Sequence, residues 1–182
     1  MCKYNRTSNK GETHQMKWTY FPRNRKITDD LLQIISVFDA QKNNIDSLSN
    51  NLVSDQVLAQ VTNGLEAIGY KVEHSKRDVD KIKMPVLYGE CGKVDLNFEV
   101  DAFNENTGIV VEVEAGRAVT NYQFLKDFFE ACCMYDAQYL CIAVRQIYGN
   151  RADYEKVCDF FNAMYASDRF SIPLQGVLII GY

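Results

Sequence analysis

The sequence predicts one α/β domain, a mixed central β-sheet flanked by helices. Three observations carry that expectation. Apolar and polar residues alternate over 94–102 and again over 109–115, the period of a strand with one covered face. A continuous apolar run at 139–144 matches a strand covered on both faces, and 176–180 reads as a further strand. Between these runs lie segments whose apolar residues recur at helical spacing. A chain of 182 residues, 47% hydrophobic and 24% charged, is long enough for a single domain with a full core.

In chain order, residues 1–26 form a basic arm and 27–182 the folded domain. The arm ends at Trp18-Thr-Tyr-Phe-Pro22, an aromatic cluster expected to anchor on the body. Thr28 is placed as an N-cap, with Asp29 and Asp30 favourable to the dipole, for a helix over 28–40 carrying Leu31, Leu32, Ile34, Ile35 and Phe38. A polar loop covers 41–51. Ser54 is read as the cap of a second helix, striped by Val57, Leu58, Val61, Leu65 and Ile68 and ended by Gly69. Short strands are expected at 70–74 and 85–88, joined by an exposed charged connection.

The two alternating segments, with Asn-Glu-Asn-Thr-Gly at 104–108 between them, predict an antiparallel hairpin. A helix over 120–135 follows, with Phe124, Leu125, Phe128, Phe129, Cys132 and Cys133 inward. After the buried strand comes a helix over 152–166, with Tyr154, Val157, Phe160, Phe161, Met164 and Tyr165 inward. Core packing accounts for most of the eleven Tyr and ten Phe.

The net charge of −4 is unevenly spread. Seven basic residues stand against Glu12 in the first 26, a local +6, so the remainder carries −10. A basic arm suits a polyanion, and equally a solvated tail. No apolar stretch reaches the ~20 residues of a membrane span, and no apolar segment near the start suits a secretion signal, so a cytoplasmic location is expected. Six cysteines without a Cys-x-x-Cys pair, and two isolated histidines, argue for reduced thiols rather than zinc.

The predicted hairpin concentrates acid. Pairing Asp101 with Glu112 would set Glu99 opposite Glu114, with four carboxylates on one face. Like charges so close are destabilising unless a cation intervenes, and hard divalent ions take oxygen ligands. The alternative is a hydrated polar side of an edge hairpin.

Val100-Asp-Ala-Phe followed by Val111-Glu-Val-Glu-Ala-Gly-Arg117 resembles the PD-(D/E)xK nuclease motif, in the Asp…Glu-x-Glu variant found in some type II restriction endonucleases. Glu112 to Asp127 is also similar to uncharacterised bacterial proteins described as restriction-endonuclease-like. The resemblance spans about residues 54–148 and implies a restriction-endonuclease-like fold and a Mg²⁺- or Mn²⁺-dependent hydrolase acting on DNA. It implies Asp101 and Glu112 as metal-binding acids, with Glu114 at the position where most members carry lysine. Glu114 can accept a proton or bind metal but cannot supply positive charge. An acid from the preceding helix often joins such a site; Asp55 and Glu66 are the two on offer. Palindrome-cutting members work as dimers, which makes a homodimer one implied state. Arg117, Asn121 and Lys126 are candidates for phosphate contact. Arg117 could instead pair with Glu112 or Glu114, and Thr120 or Asn121 could cap the next helix.

Overall fold

Residues 15–167 and 169–182 are described by the computed structural model; most of the basic arm, with Cys2 and His14, lies outside them. The aromatic cluster does anchor: Lys17–Phe21 forms β1, an edge strand antiparallel to the final strand of the chain. Helix α1 spans Asp29–Ala40, and the Thr28 hydroxyl accepts the Leu31 N–H at 3.4 Å, as an N-cap should. One turn, α2 (Lys42–Ile45), interrupts the expected loop. Helix α3 (Ser54–Ala67) starts a residue earlier than expected: Val53 is the cap residue, and the Gln56 side chain accepts its N–H at 3.0 Å. Gly69, at φ +90°, ends this segment in the left-handed conformation glycine tolerates.

Strand β2 is Lys71–Val72, β3 Ile82–Tyr88, β4 Val94–Val100, β5 Ala102–Asn104 and β6 Ile109–Glu114. Helix α4 (Gln123–Cys133) precedes β7 (Tyr139–Val144), and the short strands β8 (Ile147–Tyr148) and β9 (Arg151–Ala152) lead into α5 (Asp153–Ala166) and β10 (Gly176–Gly181). The main sheet has the order β1-β10-β7-β6-β5-β2, with β10, β7 and β6 parallel and the outer strands antiparallel.

Helices cover both faces. Val111 and Val113 of β6 join α1 and α3 in one core, whereas Val110 joins α4 and α5 in the other. Helices on both sides explain why β7 and β10 read as unbroken apolar runs. The chain is therefore a single mixed α/β domain, as its sequence predicts.

The expected hairpin of 94–102 with 109–115 is not what forms. Strand β4 pairs with β3 as a separate two-stranded arm, placing Glu99 opposite Lys83 and bonding it to Lys81 at 2.8 Å. Only β5 continues against β6, in the register Ala102–Val111 and Asn104–Ile109. Glu99 therefore does not face Glu114. Helix α4 also differs, being shorter than 120–135 and turned so that Phe124, Asp127, Phe128 and Ala131 are buried while Phe129 and Cys133 are exposed.

Candidate active site

The chain bends at Asp101, where it leaves the β3–β4 arm and enters the main sheet. With β4 gone from the ladder, the Val113 N–H finds its partner in the Asp101 carboxylate, at 2.8 Å. That bond holds Asp101 against β6. The pairings Val72–Ala102 and Ala102–Val111, extended by one residue, set Glu73, Asp101 and Glu112 side by side across three strands. The Glu73 N–H donates to the Asp101 carbonyl at 2.8 Å, continuing the ladder. Asp101 lies between two groups, with Glu73, Asp55 and Lys76 on one side and Glu112 on the other.

Alternation along β6 directs Val111 and Val113 to the α1/α3 core and Glu112 and Glu114 to the α4 side. There α4 supplies a further acid. Asp127 is 5% exposed; its Oδ1 has only a 3.4 Å bond from Gln123, and its Oδ2 has no partner among the described residues. Its carboxyl lies within hydrogen-bonding reach of Glu114. A shared proton or a cation would satisfy both.

The enclosure is visible in the acidities. Burial pushes Asp101 up to about 6, helped by Glu73 and Asp55 and opposed by the Val113 N–H and Lys76. Burial, then the charges of Asp101, Asp127 and Glu114, holds Glu112 well above the carboxylate range. Glu114 is raised by burial and by Asp127, and Asp127 by burial and by Asp101, with Lys126 opposing both shifts. Taking a carboxylate out of water and setting it beside another both favour the neutral form.

Two cations border the acids. Lys126 contacts Glu130 at 2.9 Å and Asp127 at 4.0 Å. Lys76 contacts Glu73 at 2.8 Å and Asp55 at 3.3 Å. Burial pushes both ammonium groups down, but the surrounding carboxylates leave them net raised.

Asp101, Glu112 and Glu114 are thus brought together. Of the two helix acids, Asp55 lies at the edge of the group, held by Lys76, whereas Glu66 is engaged by His74 at 2.8 Å. Arg117 and Asn121 are exposed on the loop after β6, and Arg117 makes no ion pair among the described residues. Tyr122, at φ +51°, immediately precedes α4, so neither Thr120 nor Asn121 caps it. Sequence reasoning missed Glu73 and Asp127. Glu73 follows a strand only two residues long, and Asp127 sits inside an apolar stripe. The one available signal was the 124, 128, 131 spacing, which places position 127 on the same helix face.

A divalent ion is a reasonable match for these donors. Among the described residues, no three His, Cys, Asp or Glu side chains already converge as a ligand set. Asp101 and Glu112 are a pair of hard oxygen donors, and Mg²⁺ commonly binds through one or two carboxylates while keeping several waters. The orphaned Asp127 oxygen and the mutual repulsion of the acids both suit a cation.

No family model matches the chain, and no curated protein matches it. Among solved structures the chain is similar to free BglII, with a TM-score of 0.47 and 12% identity over 92% of this chain and 79% of that one.

Proposed function

We propose that the chain is a metal-dependent nuclease hydrolysing phosphodiester bonds in DNA. The observation that carries the reading is the row Glu73, Asp101 and Glu112, with Glu114 and Asp127 beside it, in an enclosure that repels its own charges. The order Asp101, Glu112, Glu114 in the sequence, and the PD-(D/E)xK resemblance it supports, point the same way.

Asp101 and Glu112 would hold Mg²⁺ or Mn²⁺, with Asp55 at the edge of the group. The ion would supply an acidified water and a counter-charge for the phosphoryl oxygens. Glu114 accepts the proton of the attacking water, and Asp127 beside it sets how readily it does so. Lys126 supplies the positive charge that most members of the resembling family carry at position 114. Arg117 and Asn121, on the exposed loop, contact the phosphate backbone. A cytoplasmic restriction or defence role, with the chain working as a homodimer, completes this reading.

Purified protein with Mg²⁺ or Mn²⁺ is expected to nick or cut DNA, and Glu112→Ala to abolish cutting. A preparation inert on single- and double-stranded DNA and RNA overturns the reading. A second reading, a nuclease-fold module that binds nucleic acid without turnover, is favoured by Glu114 standing in place of lysine. Metal-independent binding without cleavage selects it.

A further inference from the structure

A cleft of about 1030 Å³ opens between the 47–51 loop and the β8–β9 hairpin. Asn50, Asn51, Arg145, Tyr148, Arg151 and Lys156 line it, and no acidic residue does. On a body that carries −10 outside the basic arm, a cleft lined by three cations, of which only Arg151 is paired with a carboxylate, is a local reversal of charge.

Arg145 is the telling member. It is 6% exposed, yet its guanidinium is held by neutral groups alone: Nη1 donates to the Asn51 side-chain oxygen at 2.8 Å and Nη2 to the Leu52 carbonyl. The Tyr148 ring lies 5.1 Å away. Among the described residues no carboxylate comes within 4.0 Å of it. A buried cation without a counter-ion carries a desolvation cost that an entering anion would offset. Lys156, exposed at the mouth, also has no carboxylate partner among the described residues. Arg151 differs. The buried Asp153 carboxylate orients it, and it reaches Thr120 at 2.6 Å and the Gly116 carbonyl at 3.3 Å.

Those last contacts join the cleft to the acids. Gly116 follows Glu114 by two residues, about 7 Å of extended chain. It sits at φ +89°, so close to Tyr148 that an added Cβ would meet the ring at 2.7 Å. The Tyr182 hydroxyl, which shares the Arg145 environment, donates to the Glu114 carbonyl at 3.0 Å.

We propose that this cleft seats the phosphates of a DNA strand next to the one presented to Glu112 and Glu114. Lys156 contacts the strand directly, and Arg145 supplies a fixed field from beneath. The inference rests on the nuclease reading for its choice of ligand, but its test does not depend on cleavage.

The test is fluorescence anisotropy of a labelled 20-nucleotide DNA with the full chain in EDTA. Lys156→Glu, at an exposed position, is expected to weaken binding about five- to tenfold at low salt and to reduce the slope of log K against log[salt] by about one. Lys71→Glu, at the opposite end of the sheet beside Glu105, leaves both unchanged. Arg145→Gln, which can still hydrogen-bond Asn51, lowers affinity in the same direction if it folds; the Lys156 result stands without it. Wild-type protein that fails to bind, Lys156→Glu that binds like wild type, or equal losses for Lys156→Glu and Lys71→Glu each overturn the proposal. If binding is sensitive to Lys156 but no metal ion restores cutting, the cleft survives and the hydrolytic reading fails. If Lys156→Glu binds like wild type while the wild type cuts DNA with Mg²⁺, the cleft fails and the hydrolytic reading survives.

Discussion

Strands β4 and β6 look alike in sequence and behave oppositely in the fold. Each alternates apolar residues with acids: Asp95 and Glu99 in β4, Glu112 and Glu114 in β6. In β4 even the apolar positions Val94 and Leu96 are exposed, and Glu99 is bonded to Lys81. In β6, Ile109, Val110 and Val111 are fully buried, and the acids are crowded by Asp101 and Asp127. The strands differ in their neighbours. β4 has only β3 beside it, whereas β6 lies between β5 and β7 under helices on both faces. Alternation announces a strand, but enclosure turns its acids into a site.

The sharpest way to break this contrast is to neutralise one acid from each strand. Glu112→Gln is expected to abolish metal-dependent cutting of plasmid DNA, and Glu99→Gln to leave the rate unchanged. Equal rates for the two variants would remove the distinction. Glu114→Gln comes next, with an expected loss of about 10²–10⁴-fold in cleavage rate, the range for a lost general base. Its DNA affinity in EDTA is expected to hold. A parallel loss of binding would make Glu114 a contact rather than a proton acceptor.

How much of this was legible in advance follows the same division. Helix α1 could be read from Thr28 and its stripe, and β7 and β10 from their unbroken apolar runs, because local chemistry sets them. The departure at Asp101 could not. Alternation runs uninterrupted from Val94 to Ala102, with no glycine or proline to mark that the strand changes partner there. The phase of α4 was hidden for a related reason. Seven apolar residues between 124 and 133 cover more than one face of a helix, and contact with the sheet decides which half is buried. That contact turned Phe129 and Cys133 outward and brought Asp127 in. Asp101, Glu112 and Glu114 were named from the motif, and the acids that complete their surroundings came only from tertiary packing.

A smaller effect concerns stability. The β6 acids hold protons in the folded state at pH values where the unfolded chain has released them. The native state then binds more protons, so stability falls as pH rises. The loss begins above the ordinary carboxylate range, near 4, and continues through about 6 for Asp101 and about 8 for Glu114. In EDTA, Tm is expected to decline from pH 5 to pH 8. Mn²⁺ should raise Tm more at pH 8 than at pH 5. Asp78 and Asp80, whose carboxyls are held below the ordinary range by Lys83 and by Ser75 and Arg77 respectively, act the opposite way and confine this trend to the window above about pH 4. A Tm that stays flat across the window would show that the acids are solvated, as those of β4 are.

The mildest change refines the contrast most. Asp127→Asn removes one charge from the crowded pair, and its amide can donate to Glu114, so the proton shared at high pH is no longer needed. At pH 8 in EDTA the variant is expected to gain about 2–4 °C in Tm, what roughly 1 kcal/mol brings to a domain of this size. Its pH dependence should flatten, and differential scanning fluorimetry reads both. The same neutralisation at Glu99 is expected to shift Tm far less, because an exposed ion pair contributes only about 0–1 kcal/mol. A gain at position 127 together with a loss of cutting would make the repulsion a cost retained for chemistry. A gain with cutting intact would mean that Glu114 works without it, and would assign the site to β6 and Asp101 alone.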